Sequence, residues 1–334
     1  MEKILLDHGA GGLLSNELVR DLFLPSFNNP LLAQLTDSAV LDIAGKRVCF
    51  TTDSFVVSPL FFPGGDIGSL AVHGTVNDLA ACGGKPAWIS AGFILEEGLP
   101  LGELRLIVAS MQKAALRAGV QVVTGDTKVV PRGVADGVFI NTSGIGIIEY
   151  PGRSAPSSIE PGDAIILNGS VGDHGAAVVS AREGLGSVSG PVSDSAPLNS
   201  LVEAVLGAGG RVHCMRDATR GGLGAVLAEI SGQAQVGLEV HEHRILVKEN
   251  VRGLCEIFGL DPLFMASEGR MAVFCHGDDA AEVLAAMRGH DLGRDSSIIG
   301  EVTGRSRVRA VIRTIAGGSR VLDLPAGEAV PRIC

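Results

Sequence analysis

Five aspartates in this chain stand beside small or hydroxyl residues: Asp37 in LTDSAV, Asp53 in FTTDSF, Asp78 in TVNDLA, Asp126 in TGDTK and Asp217 in MRDATRGG. Any one of them reads as a turn or cap residue at the end of a strand or helix. Five in similar settings read differently. Carboxylates that converge on one cleft repel unless a cation sits among them, and hard oxygen ligands favour Mg2+, which also holds phosphate oxygens. Two glycine-rich segments, HGAGG (His8–Gly12) and RDATRGG (Arg216–Gly222), offer backbone N–H groups to phosphates, the second at a helix start. The pattern outlines a magnesium–nucleotide site, although no G-x-x-x-x-G-K-[ST] loop is present and no complete G-x-G-x-x-G follows a strand.

Four further positions carry chemistry or its imitation. Lys128, two residues after Asp126, is either a surface lysine or a partner for phosphate or thiol. Glu268 in ASEGR is either a solvated turn residue or a site carboxylate. Asp173–His174 in VGDHGA reads as an N-cap pair rather than a catalytic one. Cys334, the last residue of a proline-containing tail, is either an incidental exposed thiol or a sulfur delivered by a mobile arm. The other five cysteines are dispersed through apolar or mixed segments, with no C-x-x-C pair and no metal-finger spacing.

The elements that must hold these residues alternate between extended and helical. Strands are predicted over 46–57, 88–96, 120–125 and 137–148, with helices over 66–82 and 101–118. Leu101, Leu104, Ile107, Val108, Met111 and Ala115 recur at helical spacing, and Gly119 stops that helix. The Pro-, Gly- and Ser-rich stretch 150–163 reads as an interdomain connection. A second unit follows with strands near 164–168, 271–275 and 308–323 and helices near 174–184, 220–232 and 279–289. The last residues, PAGEAVPRIC, show no apolar face and are expected to be a tail rather than a packed element. The division is therefore 1–150, 151–322 and a tail 323–334, an α/β (α+β) fold in two domains. A length of 334 residues agrees with two cores.

Composition excludes other classes. A net charge of −10, with no basic run, lacks the footprint of a nucleic-acid binder. No stretch approaches the roughly 18 apolar residues of a membrane helix, and MEKILLDHGA is too poor in apolar residues for a signal peptide. A soluble cytoplasmic protein is expected. The 46 glycines, twice the usual share, point to many tight turns in packed α/β cores.

The segments HGAGG, TTDSFVVSPLFFPGGDIG, VNDLAACG, GFILEEGLP, TGDTKVV, FINTSGIG, GDHGA, RDATRGG, ASEGR and the terminal PRIC together resemble the HypE family of hydrogenase maturation factors. The likeness runs over essentially the whole chain, and the terminal Pro-Arg-Ile-Cys makes it specific. It implies a two-domain fold like that of aminoimidazole ribonucleotide synthetase and selenophosphate synthetase, dimerising through the amino-terminal sheet, with ATP at the cleft and a flexible carboxyl-terminal tail. It implies that Cys334 receives a carbamoyl group from a HypF-type carbamoyltransferase. ATP then activates the amide oxygen, a thiocyanate forms, and the cyanide passes to iron on a HypC–HypD scaffold. By matching position, Asp37, Asp53, Asn77, Asp78, Asp126, Asp217, Gly11 and Gly12 would bind Mg-ATP, with Asp37, Asp78, Asp126 and Asp217 on the metal. Lys128 and Glu268 would surround the docked Cys334, with Glu268 favoured as proton acceptor.

Two other readings compete. A same-fold kinase or synthetase acting on a free small molecule needs no terminal thiol, so it would survive loss of Cys334. A non-catalytic carrier or scaffold for a carbamoyl thiol needs no nucleotide site and so leaves the aspartates unexplained.

Overall fold

The computed structural model describes residues 3–9, 12–152, 154–185, 189–304, 309–325, 327 and 330–334. Gly11, expected at the phosphates, lies outside them. The chain opens with short helices α1 (Leu13–Leu18) and α2 (Leu24–Phe27), joined by a single wider turn. Strands β1 (Ala39–Ile43) and β2 (Lys46–Phe55) follow, then the small hairpin β3 (Phe61–Phe62) and β4 (Gly65–Asp66). Helix α3 (Ile67–Ala81) starts on a capping box in which the Asp66 carboxylate accepts from the Gly68 and Ser69 N–H groups. Strand β5 (Lys85–Glu96), helix α4 (Leu101–Ala118), strand β6 (Gln121–Val130) and strand β7 (Val138–Ile147) complete the first unit. Gly119 ends α4 at φ 71°, a conformation that suits glycine.

These strands form one sheet in the order β1-β2-β7-β5-β6, with β5 and β6 parallel across the α4 crossover. Helices α3 and α4 cover one face, burying Leu70, Val76, Ile107 and Met111 against Phe55, Ile89 and Ile140. The other face is bare. Phe50, Trp88, Ile94, Ile145 and Ile147 alternate onto it, each 36–44% exposed.

The second unit holds β8 (Ala164–Leu167), α5 (Asp173–Arg182), α6 (Asn199–Gly207), β9 (Val212–Asp217), α7 (Gly222–Ala234), β10 (Gly237–His241), α8 (Glu249–Phe258), β11 (Met271–Cys275), α9 (Ala280–Arg288), β12 (Ser297–Gly304), β13 (Ala310–Arg313) and β14 (Ser319–Leu322). Its strands lie in the order β14-β13-β10-β12-β8-β11-β9. The central strands β8 and β11 are buried at every residue because both faces are covered: α7 packs on one, α6 and α9 on the other. The region expected as a strand over 308–323 is instead the hairpin β13–β14, turning at Gly317 and Gly318.

The tail departs from expectation. Ile333 is 4% exposed and belongs to the core of the first unit, beside Val178 of α5, with Val330 and Cys334 packed against it. Burying that isoleucine contributes about 1.5–3 kcal/mol. Ordering the last residues costs about 1–2 kcal/mol each, so polar contacts decide whether the tail stays seated.

Candidate active site

The two units meet where β2, α3 and the end of β9 converge. Asp53 of β2 faces α3, which approaches closely because residue 74 is glycine; a Cβ there would sit 2.9 Å from the Phe55 ring. Asp78 lies one turn further along α3, Asp37 just before β1, and Asp217 at the end of β9. One open cleft is lined by Asp37, Asp53, Asp78, Asp217, Glu268 and Cys334, together with Arg216 and Arg220.

Carboxylate oxygens of Asp37, Asp78 and Asp217 all lie within 4.8 Å of one another. Their titration records the crowding. Burial pushes Asp217 up to about 8, aided by the Asp37 charge, and burial lifts Asp37 to about 6 against the pull of Arg216. Burial also raises Asp78 well above the usual range, with Asp53, Asp217 and Asp37 adding to it, and raises Asp53 despite Arg220. A group of acids in this state is short of positive charge. Arg216 supplies part of it, with its Nε 2.9 Å from Asp37 and its Nη2 3.2 Å from Glu229. Thr51 donates to Asp78 at 2.8 Å. The donor set is oxygen-only, as a hard divalent cation requires.

Above the cluster, Gly221 and Gly222 open helix α7 at φ 74° and 63°. A Cβ on Gly222 would lie 2.5 Å from the Leu263 carbonyl oxygen, so the turn admits no side chain. The α7 amino terminus, with Thr219 and Arg220 on the cleft, is a place where an anion is favoured. Arg220 also donates to the Gly9 carbonyl at 2.9 Å, tying Gly9 to the cleft. Gly12 itself abuts the tail: a Cβ there would lie 2.4 Å from the Pro325 carbonyl oxygen.

Glu268 is 2% exposed, and its Oε1 has no hydrogen-bond partner among the described residues. Burial, reinforced by Asp217, Asp194 and Asp53, raises its pKa well above the carboxylate range. Its backbone is pinned: Asp194 accepts from the Glu268 N–H at 3.1 Å and the Gly269 N–H at 3.3 Å. No side chain fits at 269, where a Cβ would overlap the Asp194 carbonyl.

Asn77 takes a different job from the nucleotide contact expected of it. Fully buried, it donates to the Glu268 carbonyl at 3.2 Å and the Ala196 carbonyl at 3.1 Å, and accepts from the Leu198 N–H at 2.7 Å. Asp126 and Lys128 are also placed apart from the others. They pair with Gly92 and Ile94 across the sheet, on the bare face, whereas Asp53 points to the helix-covered face. Exposed there, they bind each other at 2.5 Å. Within one chain they do not reach the cleft. The reason is register: β6 continues to Val130, so both sit in mid-strand rather than at a strand end.

The tail enters from the far side. The Val56 N–H donates to the Cys334 carboxylate at 3.0 Å, and the Ser58 N–H to the Arg332 carbonyl at 3.2 Å. Arg182 of α5 donates to the carbonyls of Ser58, Pro331 and Arg332. Arg332 bonds Asp136 at 2.5 Å. The sequence assigns no individual role to Arg216, Arg220, Glu229 or Arg182, and reads His174 only as part of a cap. Arg216 and Arg220 flank Asp217 within its motif, and that adjacency was the available signal.

Residues 35–148 match the family described as AIR synthase related protein, N-terminal domain, and residues 160–313 its C-terminal domain. Carbamoyl dehydratase HypE of Azotobacter vinelandii is 49% identical over 98% of this chain and 96% of the relative. A crystal structure of the hydrogenase maturation protein HypE in complex with ATP superposes with a TM-score of 0.84 at 47% identity, covering 99% of this chain and all of that one. A HypE–HypF complex matches with a TM-score of 0.87 at 45% identity, over 92% and 99% of the two chains. Identity of 47–49% over nearly the full length of both chains, with the same fold, places the chain in the HypE family of carbamoyl dehydratases.

Proposed function

We propose that this chain dehydrates the S-carbamoyl group on its own Cys334 to a thiocyanate at the expense of ATP, supplying cyanide for a [NiFe]-hydrogenase iron centre. One observation carries the reading: the terminal cysteine lines the same cleft as four aspartates, Glu268 and the opening of helix α7. A carrier has no use for that acidic cluster. A kinase for a free small molecule would find its cleft shared with its own tail.

We assign Mg-ATP to this cleft. The fit rests on the three carboxylates within 4.8 Å and on their raised pKa values, both relieved by a divalent cation. Asp37, Asp78 and Asp217 would hold the ion, with Asp53 beside them. The ion would neutralise charge on the phosphates, and ATP would supply the phosphoryl group that makes the amide oxygen a leaving group. The chain's own residues do the rest. Arg220 and the α7 amino terminus hold phosphate charge, and the seated tail keeps water from the reacting carbon. The nitrogen gives up one proton to solvent when the oxygen is phosphorylated, and Glu268 takes the second as the C–O bond breaks and phosphate leaves. The test is mass spectrometry of the carbamoylated chain incubated with Mg-ATP. The terminal peptide should lose the mass of one water, and Cys334→Ser should carry no carbamoyl group at all. Retention of the full carbamoyl mass would leave only a carrier.

We assign the loading of Cys334 to a HypF-type carbamoyltransferase and the receipt of cyanide to a HypC–HypD scaffold, in the cytoplasm. No helix among the described residues is long and apolar enough to cross a membrane. The working units remain 1–150, 151–322 and the tail 323–334.

A homodimer completes the reading. The bare apolar face of the first sheet would be covered by a second copy, and Asp126 and Lys128 on that face would then serve the partner's cleft. Lys128→Ala and Glu268→Gln chains, co-expressed with different tags and purified as the mixed dimer, test this. One intact cleft in two should return about half of wild-type activity, while each parent stays nearly inactive. A mixed dimer as inactive as its parents would confine both residues to their own chain.

A further inference from the structure

His174 stands at the second position of α5, fully buried, and makes two hydrogen bonds that run in one direction. Its Nδ1 lies 2.8 Å from the Ser193 hydroxyl, and its Nε2 lies 2.7 Å from the Ile333 carbonyl. Ser193 Oγ already accepts from the Ser195 N–H at 3.1 Å, so its own proton is directed at Nδ1. That leaves the imidazole proton on Nε2, where it donates to the tail. Burial depresses the ring's pKa to about 4, so this neutral tautomer persists at neutral pH. The Phe62 ring stands edge-on at 5.1 Å and limits rotation.

The same scaffold holds Glu268. The Gly175 N–H, next to His174, donates to the Ala266 carbonyl at 3.0 Å, and the Gly172 N–H to Ser267 Oγ at 2.9 Å. On the other side, Ser193 contacts His174 while its neighbour Asp194 pins the Glu268 backbone. One loop therefore registers both the tail holder and the glutamate. Only two bonds of chain separate the Ile333 carbonyl carbon from the Cys334 Cα, so fixing that carbonyl fixes where the thiol hangs.

We propose that His174 is a positioning residue for the dehydration: its Nε2–H, polarised by Ser193, locks the Ile333 carbonyl and thereby seats Cys334 against Glu268. The inference rests on the reading of Cys334 as the carbamoylated thiol, but half of its test does not. Removing the donor leaves a buried carbonyl unpartnered, a loss equivalent to about ten- to a hundredfold in the seated population.

The experiment uses the full chain with His174→Leu and His174→Gln. In the Gln variant the side-chain amide retains a donor at the Nε2 position. The first readout is the alkylation rate of Cys334 by iodoacetamide, which needs no carbamoylation because the other five cysteines are buried. His174→Leu should raise that rate about tenfold or more, and His174→Gln should return it toward wild type. The second readout is single-turnover dehydration of the carbamoylated chain at saturating Mg-ATP. It should fall by a similar factor in His174→Leu with the KM for ATP unchanged, and recover in His174→Gln. If His174→Leu does not fold, Ser193→Ala, which removes the proton aimed at Nδ1, should raise alkylation in the same direction. A wild-type alkylation rate in His174→Leu, or a His174→Gln variant as impaired as His174→Leu, would overturn the proposal. If the wild-type chain itself fails to dehydrate, the proposed function falls, and the alkylation result still decides the seat.

Discussion

Glu268→Gln is expected to lower the rate of dehydration by about 10²–10⁴-fold while leaving ATP binding near wild type, because it removes a general base without altering shape. The expectation comes from where the carboxylate sits. It is buried on the cleft shared with Cys334, one oxygen lacks a hydrogen-bond partner among the described residues, and its proton affinity is raised chiefly by burial. A base must be ionised to act. In the metal-free chain the neighbouring charges of Asp217, Asp194 and Asp53 hold Glu268 protonated further up the pH scale. Neutralising Asp217 and Asp53 with a bound cation lowers that affinity, so metal loading readies the base. The single-turnover rate should accordingly rise with pH to a plateau, and the midpoint should move to lower pH as Mg2+ is raised. A Glu268→Gln chain that hydrolyses ATP and dehydrates the carbamoylated protein at normal rates would remove Glu268 from the reaction.

Asp217→Asn is expected to make the metal-free chain more stable and the enzyme at least about 100-fold less active. The sign follows from linkage. Asp217 has a folded pKa of about 8, whereas an unfolded aspartate titrates near 3.9. Between those values the folded chain binds the extra proton, so its stability declines as pH rises across about 4 to 8. Asparagine abolishes that penalty. Thermal melts in a chelator at pH 5 and pH 8 check it: wild type should lose stability toward pH 8, and the variant should lose less. The shift should be roughly 2–4 °C for each kcal/mol relieved in a unit of this size. Mg2+ should raise the wild-type melting temperature at pH 8 and do little for the variant. A variant that melts no higher than wild type at pH 8 would show that the cluster carries no such strain.

Much of the fold was legible because local signals agreed with burial. Helix α4 runs over the residues its apolar spacing marks, and β11 occupies 271–275 as expected. Strands β1, β3, β4, β9, β10 and β12 and helices α1, α2, α6 and α8 were missed. The missed strands carry polar residues such as Asp42, Arg216, Glu239 and Glu301 where an apolar run was sought, and β9, β10 and β12 find their partners far away in sequence. At the site, the types of Asp37, Asp53, Asp78 and Asp217 pointed to a shared role, and the cleft brings them together. The structural role of Asn77 was not legible because a buried amide that joins three backbone groups looks, in sequence, like any polar neighbour of a site aspartate. The tail was misread because one isoleucine makes no pattern, yet it fills a gap in a core built elsewhere. His174 was passed over as a cap residue since its partner lies 159 residues away.

The three hydrogen bonds of Asn77 have a consequence for how the molecule works. They bolt helix α3 of the first unit to the strip carrying Glu268 and to the start of α6 in the second. Ala80 and Ala81 of α3 also share a core with α6 and α9. The halves cannot hinge apart to admit or release a group without breaking that joint. On the proposed function, the terminal arm is then the element expected to move, and the body is the socket into which it plugs.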